Sequence, residues 1–106
     1  QASVWPDVLT YTAVVRACGG RGHWDGALAL LDRMWQAGVP PDGVCYAAAI
    51  TACERGAAWG AALRLLDEMQ GAWLAPDVVC FSAAISACEK GAQWERALDL
   101  LDVMLL

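Results

Sequence analysis

The sequence predicts an all-α protein: an α-solenoid of stacked antiparallel helix-turn-helix repeats. The chain of 106 residues is rich in alanine and leucine, which favour helices, and has only one Phe and two Tyr to favour strands. Its features recur with a fixed period of 35 residues, which is typical of helical repeat proteins. No apolar run approaches the ~18 residues that indicate a membrane span, so no membrane partner is expected.

A Pro-Asp pair opens each of three copies of the repeat. The copies span residues 6–40, 41–75 and 76–106, and the third is truncated. Residues 1–5 are predicted to be the end of a preceding repeat or a linker. Twelve positions are identical in all three copies, namely, in the numbering of the first copy, Pro6, Asp7, Ala13, Ala17, Cys18, Trp24, Ala27, Leu28, Leu30, Leu31, Asp32 and Met34.

The first helix of each copy is expected to begin after the Pro-Asp pair. Proline ends the preceding segment, and aspartate can accept hydrogen bonds from the free N–H groups of the first helical turn. Apolar residues then recur at i, i+4 and i+7, as in Tyr11, Val15 and Cys18. This spacing predicts first helices over residues 8–18, 43–54 and 78–89.

The second helix of each copy is expected to begin at a tryptophan. Its apolar residues recur at i, i+3, i+4, i+7 and i+10, which predicts second helices over residues 24–36, 59–71 and 94–105. One hairpin cannot bury both apolar stripes, so neighbouring hairpins are expected to stack and to leave an apolar surface at 104–106. Glycines are expected to supply the turns between the helices, at Gly19, Gly20, Gly22, Gly56 and Gly91.

The repeated tryptophans and cysteines allow two interpretations each. Trp24, Trp59 and Trp94 are either stacking platforms for nucleic-acid bases or core residues, and their helical spacing with Leu and Met favours the core. The cysteines form no CxxC pair and no His follows at ligand spacing, so no metal, cofactor or disulfide is expected and a reduced, intracellular compartment is favoured. Small, buried apolar roles are the preferred interpretation of Cys18, Cys53 and Cys88.

No catalytic group is recognised in the sequence. The single histidine, His23, lies in a turn and is expected to be an exposed loop residue. No Ser/His/Asp set, buried carboxylate pair or phosphate-binding glycine loop surrounds it. This segment is therefore not expected to be an enzyme or to take a small-molecule substrate.

The repeat resembles the pentatricopeptide repeat (PPR) family over essentially the whole chain. The motifs are Pro-Asp-x3-aromatic, then Ala-Cys-x2-Gly, then Ala-Leu-x-Leu-Leu-Asp-x-Met, at a period of 35 residues. The tetratricopeptide repeat (TPR) is also a helical hairpin, but it has a 34-residue period and a tryptophan early in its first helix.

The PPR resemblance implies modular binding of single-stranded RNA, one base per repeat, in mitochondria or chloroplasts. In this family two or three side chains read each base. The residues at the matching positions are Thr12 with Asp42, Ala47 with Asp77, and Ser82 with a partner beyond Leu106. Thr or Ser with Asp resembles the guanine-preferring combination of the family, whereas Ala47 has no side-chain hydrogen bond to offer. The resemblance also implies residues that flank the base, Leu9, Val44 and Val79, and phosphate contacts, Arg55 and Lys90.

The charge distribution leaves several roles open. The net charge of -5 opposes RNA binding, but the first helices and turns carry a basic excess from residues such as Arg16, Arg21, Arg55 and Lys90. Arg16 and Arg21 can equally be ordinary solvated charges. Asp42 and Asp77 can be N-caps, base readers, or both.

The leading functional hypothesis is an RNA-binding module that acts in organellar RNA processing, stability, editing or translation. One alternative is a TPR-like scaffold that uses the same concave surface to bind a protein or peptide. Another is the RNA-binding part of an enzyme whose catalytic domain lies outside this segment.

Overall fold

The computed structural model describes residues 6–106, so the predicted linker at 1–5 lies outside the described residues. Residues 6–106 form six α-helices and no strand, which confirms the all-α fold. No helix within this range combines the length and apolar character needed to cross a membrane. The helices are α1 (Val8–Gly20), α2 (Trp24–Gln36), α3 (Gly43–Arg55), α4 (Trp59–Gly71), α5 (Val78–Lys90) and α6 (Trp94–Met104).

Each first helix begins at the aspartate of its Pro-Asp pair. In all three, the carboxylate accepts a hydrogen bond of 3.0 Å from the backbone N–H three residues later: Asp7 from Thr10, Asp42 from Cys45, and Asp77 from Cys80. These bonds stabilise the ionised carboxylate, and the backbone N–H of Thr10 and of Cys80 lowers the pKa of Asp7 and of Asp77 respectively. The predicted N-capping is confirmed.

The six helices form three stacked hairpins. The first helices α1, α3 and α5 contact one another in sequence and form one continuous layer. Helices α2 and α4 each pack against the first helix of their own hairpin and against the first helix of the next one, whereas α6 packs on α5. The result is an elongated molecule of 54 × 28 × 19 Å.

Small residues allow the first helices to approach one another closely. The side of α3 that faces α1 carries Cys45, Ala49 and Ala52, all completely buried. A β-carbon on Gly19 of α1 would lie 3.3 Å from the carbonyl oxygen of Ala48, so the two backbones are nearly in contact. Larger core residues fill the space beside this layer, and the predicted apolar stripes are confirmed at the buried Val15, Ile50, Cys53, Leu66 and Met69.

The glycine turns differ in part from the prediction. Helix α1 continues through Gly20, so Gly19 and Gly20 are helical. The left-handed residue of the turn is Gly22 in the first hairpin but Ala57 and Ala92, with φ of 55° and 58°, in the other two.

Gly56 and Gly91 have an ordinary negative φ and are required for a different reason. A β-carbon on Gly56 would lie 2.5 Å from Cδ1 of Trp24, and one on Gly91 would overlap the ring of Trp59. Glycine is needed there for space rather than for backbone freedom.

The core role predicted for the repeated tryptophans is confirmed at two positions and wrong at the third. Trp24 and Trp59 are half-buried and pack against the core. Trp94 is 67% exposed, because α6 packs only on α5 among the described helices. Helix α6 ends at Met104, one residue earlier than predicted.

The cysteines are free thiols in the interior of the stack. Cys45, Cys53, Cys80 and Cys88 are buried and Cys18 is half-buried. Burial raises the pKa of the Cys53 thiol to about 11. A buried, protonated thiol is a weak nucleophile, which agrees with the predicted apolar packing role.

Candidate nucleic-acid interface

The layer of first helices carries a groove of about 440 Å³ at the N-terminal ends of α3 and α5. We call it the α3–α5 groove. It brings together five of the predicted site residues, Asp42, Val44, Ala47, Asp77 and Val79. Residues that are 30 or more positions apart in sequence thus share one surface cavity. The other lining residues are Gly43, Met69, Ala75 and Cys80.

The chemistry of the α3–α5 groove combines apolar walls with carboxylate acceptors. Val44 and Val79 are 47% and 56% exposed, and Ala47 between them adds no polar atom. Asp77 uses Oδ1 to cap α5, and the backbone N–H of Cys80 that donates to it lowers the pKa of the Asp77 carboxyl. Asp42 likewise uses only Oδ1 for its cap. Capping therefore leaves the second oxygen of each carboxylate available to a ligand that donates hydrogen bonds.

A second, basic groove of about 290 Å³ lies between α1 and α3, and we call it the α1–α3 groove. Val44 and Ala47 line both grooves, so the two grooves adjoin across α3. The guanidinium of Arg55 lies in this groove and donates one hydrogen bond of 3.2 Å from Nη1 to the carbonyl oxygen of Gly19. This bond orients the guanidinium and leaves other N–H donors for a ligand.

Arg16 also lines the α1–α3 groove, together with Thr51. The sequence allows two interpretations of Arg16: a solvated charge, or part of a binding site. The structure places it beside Arg55, a predicted phosphate contact, from the neighbouring helix. Arg16 occupies in α1 the position that Thr51 occupies in α3, one 35-residue period later. Both residues line the α1–α3 groove, so this repeat position faces the groove in both helices.

Lys90, the other predicted phosphate contact, forms an ion pair with Glu54. It occupies in α5 the position of Arg55 in α3, and each side chain reaches a residue 36 positions earlier in the chain. The pair partly neutralises the charge of Lys90. The basic character of the first-helix surface is therefore concentrated between α1 and α3.

Thr12 lies in the interface between α1 and α3 and is 6% exposed. Its hydroxyl donates to the carbonyl oxygen of Val8 at 2.6 Å and lies 2.8 Å from Sγ of Cys45. Since a hydroxyl has only one proton, the Cys45 thiol is the donor in the second contact. A base could reach this hydroxyl only after the side chain rotates away from both partners.

The residues predicted to contact a base in the first repeat do not share one groove, unlike those of the second repeat. Neither groove is lined by Thr12 or Leu9, whereas Asp42 lies in the α3–α5 groove. Ser82 is exposed on the open side of α5, and its partner was expected beyond Leu106. Base reading by Thr12 and by Ser82 stays a prediction.

The chain has no obvious catalytic or metal centre in the part that the structure describes. His23 is exposed and precedes α2, as the sequence indicated. No group of three or more potential metal ligands occurs within residues 6–106.

Comparison with known families agrees with the geometry of the stacked hairpins. The PPR repeat family profile matches residues 6–55, and the PPR repeat profile matches residues 79–106. A comparison with curated proteins gave no match. PPR repeats are RNA-binding modules in which two or three side chains of a repeat read one base. With both matches falling on the observed hairpins and together covering most of its length, the chain belongs to the PPR repeat family.

Proposed function

We propose that this chain binds single-stranded RNA along the surface formed by α1, α3 and α5, without chemistry of its own. The observation that carries the proposal is the α3–α5 groove. Ala47 and Asp77, the predicted reading residues, and Val44 and Val79, the predicted flanking residues, line this one cavity. These are the positions that PPR resemblance assigns to a single nucleotide.

In this proposal a base enters the α3–α5 groove between Val44 and Val79, and its polar edge meets Asp77. An ionised carboxylate only accepts hydrogen bonds, so it favours a base edge that presents N–H donors. Because Ala47 adds no hydrogen bond, this site distinguishes bases weakly. The phosphates run past the C-terminal half of α3, where Arg16 and Arg55 are clustered.

The biological setting of the proposal follows from the family resemblance. PPR resemblance implies a role in the processing, stability, editing or translation of RNA in a mitochondrion or chloroplast.

The experiment is a titration of fluorescent single-stranded RNA with the chain at several salt concentrations. Arg16→Ala and Arg55→Ala should weaken binding of all sequences alike. Each loss of a phosphate contact should reduce the slope of log K against log salt by about 0.7. Arg33→Ala is the matched control, because Arg33 is an exposed arginine on α2, outside both grooves. Equal effects of all three variants would contradict the proposed path of the backbone.

A second candidate function is supported by the acidity of the α3–α5 groove. Asp42 and Asp77, set beside apolar walls, suit a peptide that carries Lys or Arg next to an apolar residue. This is the TPR-like scaffold function. Such a peptide would lose affinity when Asp77 is changed to Asn and would be unaffected by Arg16→Ala. RNA would show the stronger dependence on the arginines, so the two variants separate the candidates.

A further inference from the structure

Equivalent positions at the two junctions between first helices carry different charges. The first junction is the contact of α1 with α3, and the second is the contact of α3 with α5. At each junction, the basic residue that ends the later helix reaches a residue 36 positions earlier in the chain. The last two residues of the first helices are Gly19 and Gly20 in α1, Glu54 and Arg55 in α3, and Glu89 and Lys90 in α5.

At the first junction, the partner of the basic residue is uncharged. Arg55 donates one hydrogen bond of 3.2 Å to the backbone carbonyl oxygen of Gly19, a residue that has no side chain to carry a charge. A guanidinium has five N–H donors, so Arg55 keeps its full charge and further donors for a phosphate. Arg16 lines the same α1–α3 groove and adds a second positive charge. Two cations are therefore available to an anion at this junction.

At the second junction, both of the equivalent positions have changed. Thr51 stands in α3 where Arg16 stands in α1, so one cation is replaced by a neutral residue. Glu54 stands at the position of Gly19, and its carboxylate forms an ion pair with Lys90. The remaining cation of this junction therefore has a counterion within the protein.

The ion pair competes with RNA for the lysine. Exposed ion pairs contribute little net stability, so a phosphate is able to displace Glu54 from Lys90. The exchange brings little gain, because it leaves a carboxylate beside an anionic RNA backbone. Binding of a phosphate is driven mainly by the release of counterions from the nucleic acid. A displaced Glu54 attracts a cation in its turn, and this offsets the release.

We propose that Glu54 withholds Lys90 from the RNA backbone, so that the phosphates are anchored at the first junction and pass the second without a direct contact. This inference rests on the proposed RNA binding and adds a determinant of affinity that the repeat motif does not assign. It also separates Lys90 from Arg55, to which the PPR resemblance gives the same role. Glu54 acts through Lys90 and is therefore a positioning residue.

The test uses the fact that Lys90 is the only lysine of the chain. The chain is acetylated with an amine-reactive reagent, with and without a saturating, unstructured single-stranded RNA, and mass spectrometry follows the modification of Lys90. RNA should slow this acetylation by less than about twofold in the native chain and by at least about fivefold in Glu54→Gln. Glutamine keeps the size of the side chain and can still accept a hydrogen bond, but it carries no charge.

Glu89→Gln is the matched control, because it removes the same charge from the equivalent position of α5, where Glu89 is exposed beside α6. In titrations with the same RNA, Glu54→Gln should raise the affinity roughly threefold or more and steepen the slope of log K against log salt by about 0.7. Glu89→Gln should change both quantities less. In a Lys90→Ala background, the steepening caused by Glu54→Gln should disappear. A variant that lost its fold would bind RNA more weakly, so misfolding cannot produce the expected gain.

Several results would overturn the inference while leaving the proposed RNA binding intact. They are equal protection of Lys90 in the native chain and in Glu54→Gln, equal effects of the two glutamine variants, and a steepening that persists without Lys90. The proposed function itself is contradicted if Arg16→Ala and Arg55→Ala leave RNA affinity unchanged. A native chain that binds no RNA overturns both proposals.

Discussion

The indole ring of Trp24 packs against Gly56, the C-cap residue that follows α3 in the next hairpin. A β-carbon on Gly56 would lie 2.5 Å from Cδ1 of Trp24 and 2.8 Å from the carbonyl oxygen of Gly22. The contact recurs one period later between Trp59 and Gly91. Each tryptophan therefore fixes the distance between its own second helix and the end of the following first helix.

Gly56→Ala should destabilise the chain by roughly 1–3 kcal/mol, because the added methyl group overpacks a closely fitted junction. Gly60→Ala is the matched control. Gly60 lies in the first turn of α4, where an added β-carbon meets no other atom within 4 Å. The control should be neutral or stabilising by up to about 1 kcal/mol through helix propensity. Urea unfolding of both variants tests this, and a Gly56→Ala chain as stable as Gly60→Ala would contradict the role of the contact.

Trp59→Ala should cost on the order of 3–5 kcal/mol of unfolding free energy, as a large truncation against the core. Trp59 packs on Gly91, and the guanidinium of Arg96 lies 4.9 Å from the centre of its ring. Trp94→Ala should cost less than about 1 kcal/mol, because the residue is 67% exposed and no other hairpin within residues 6–106 covers it. Chemical denaturation of the two variants gives the comparison. Similar losses at both sites would argue against a stack with an open end.

The helices could be predicted from sequence because their signals are local. The Pro-Asp caps and the apolar periodicity placed each helix to within two residues of its observed ends. The role of Gly56 could not be predicted, since the reason for the glycine is a ring from another hairpin. Trp94 was wrongly assigned to the core for a related reason: its environment depends on a neighbour, and its repeat identity alone does not determine burial.

In the candidate site, the repeat motif predicts which positions contribute residues, but the burial of a residue depends on how the helices pack. The PPR resemblance predicts site roles for Val44, Ala47, Asp77 and Val79, and these four residues line one groove in the structure. The burial of Thr12 depends on how closely α3 approaches α1, which repeat spacing alone does not specify. Small residues on α3, such as Cys45 and Ala49, set that distance.

Ala57→Gly should stabilise the chain by up to about 1 kcal/mol. Ala57 has a φ of 55°, a left-handed conformation that costs a residue with a β-carbon roughly 1–2 kcal/mol. The larger entropy of glycine in the unfolded chain offsets part of this gain. Ala58→Gly is the control, since Ala58 has an ordinary φ of -91° and should lose stability. Thermal unfolding of the two variants distinguishes them, and a destabilised Ala57→Gly would show that strain at this turn is negligible.

The stability of the chain should fall as the pH rises from about 9 to about 11. Burial raises the pKa of Cys53 from its ordinary value of 9.0 to about 11, so the folded state retains a proton that the unfolded state releases. The stabilisation is therefore complete below pH 9 and is lost as the pH rises through 11. Burial also raises the pKa of Cys45, Cys80 and Cys88, which adds to the same trend.

The alkaline loss is measured by urea unfolding at pH 8 and pH 10.5. Cys53→Ala should lower stability at both pH values, because it removes a buried side chain, and should reduce the difference between them. An unchanged pH difference in Cys53→Ala would show that other groups account for the alkaline loss.

The final prediction concerns base selection in the α3–α5 groove. Placed within a longer PPR array of known target, residues 41–77 with native Ala47 should tolerate several bases, since only Asp77 can bond to the base edge. Ala47→Thr restores the Thr-Asp combination that resembles a guanine-preferring pair. One added hydrogen bond is worth about 0.5–1.5 kcal/mol, so guanine should gain roughly two- to tenfold in affinity over the other bases.

The control for this substitution is Ala47→Val, which adds similar bulk without a hydroxyl. If the groove reads bases through hydrogen bonds, Ala47→Val should leave selectivity flat, and Ala47→Asn should shift the preference toward uracil by the same family resemblance. Binding is measured against four RNAs that differ only at the nucleotide opposite the inserted repeat. If Ala47→Thr and Ala47→Val gave the same base profile, shape rather than hydrogen bonding would control the site. If neither variant changed the binding of any RNA, no base would occupy this groove, because a side chain at its centre could then be altered without consequence.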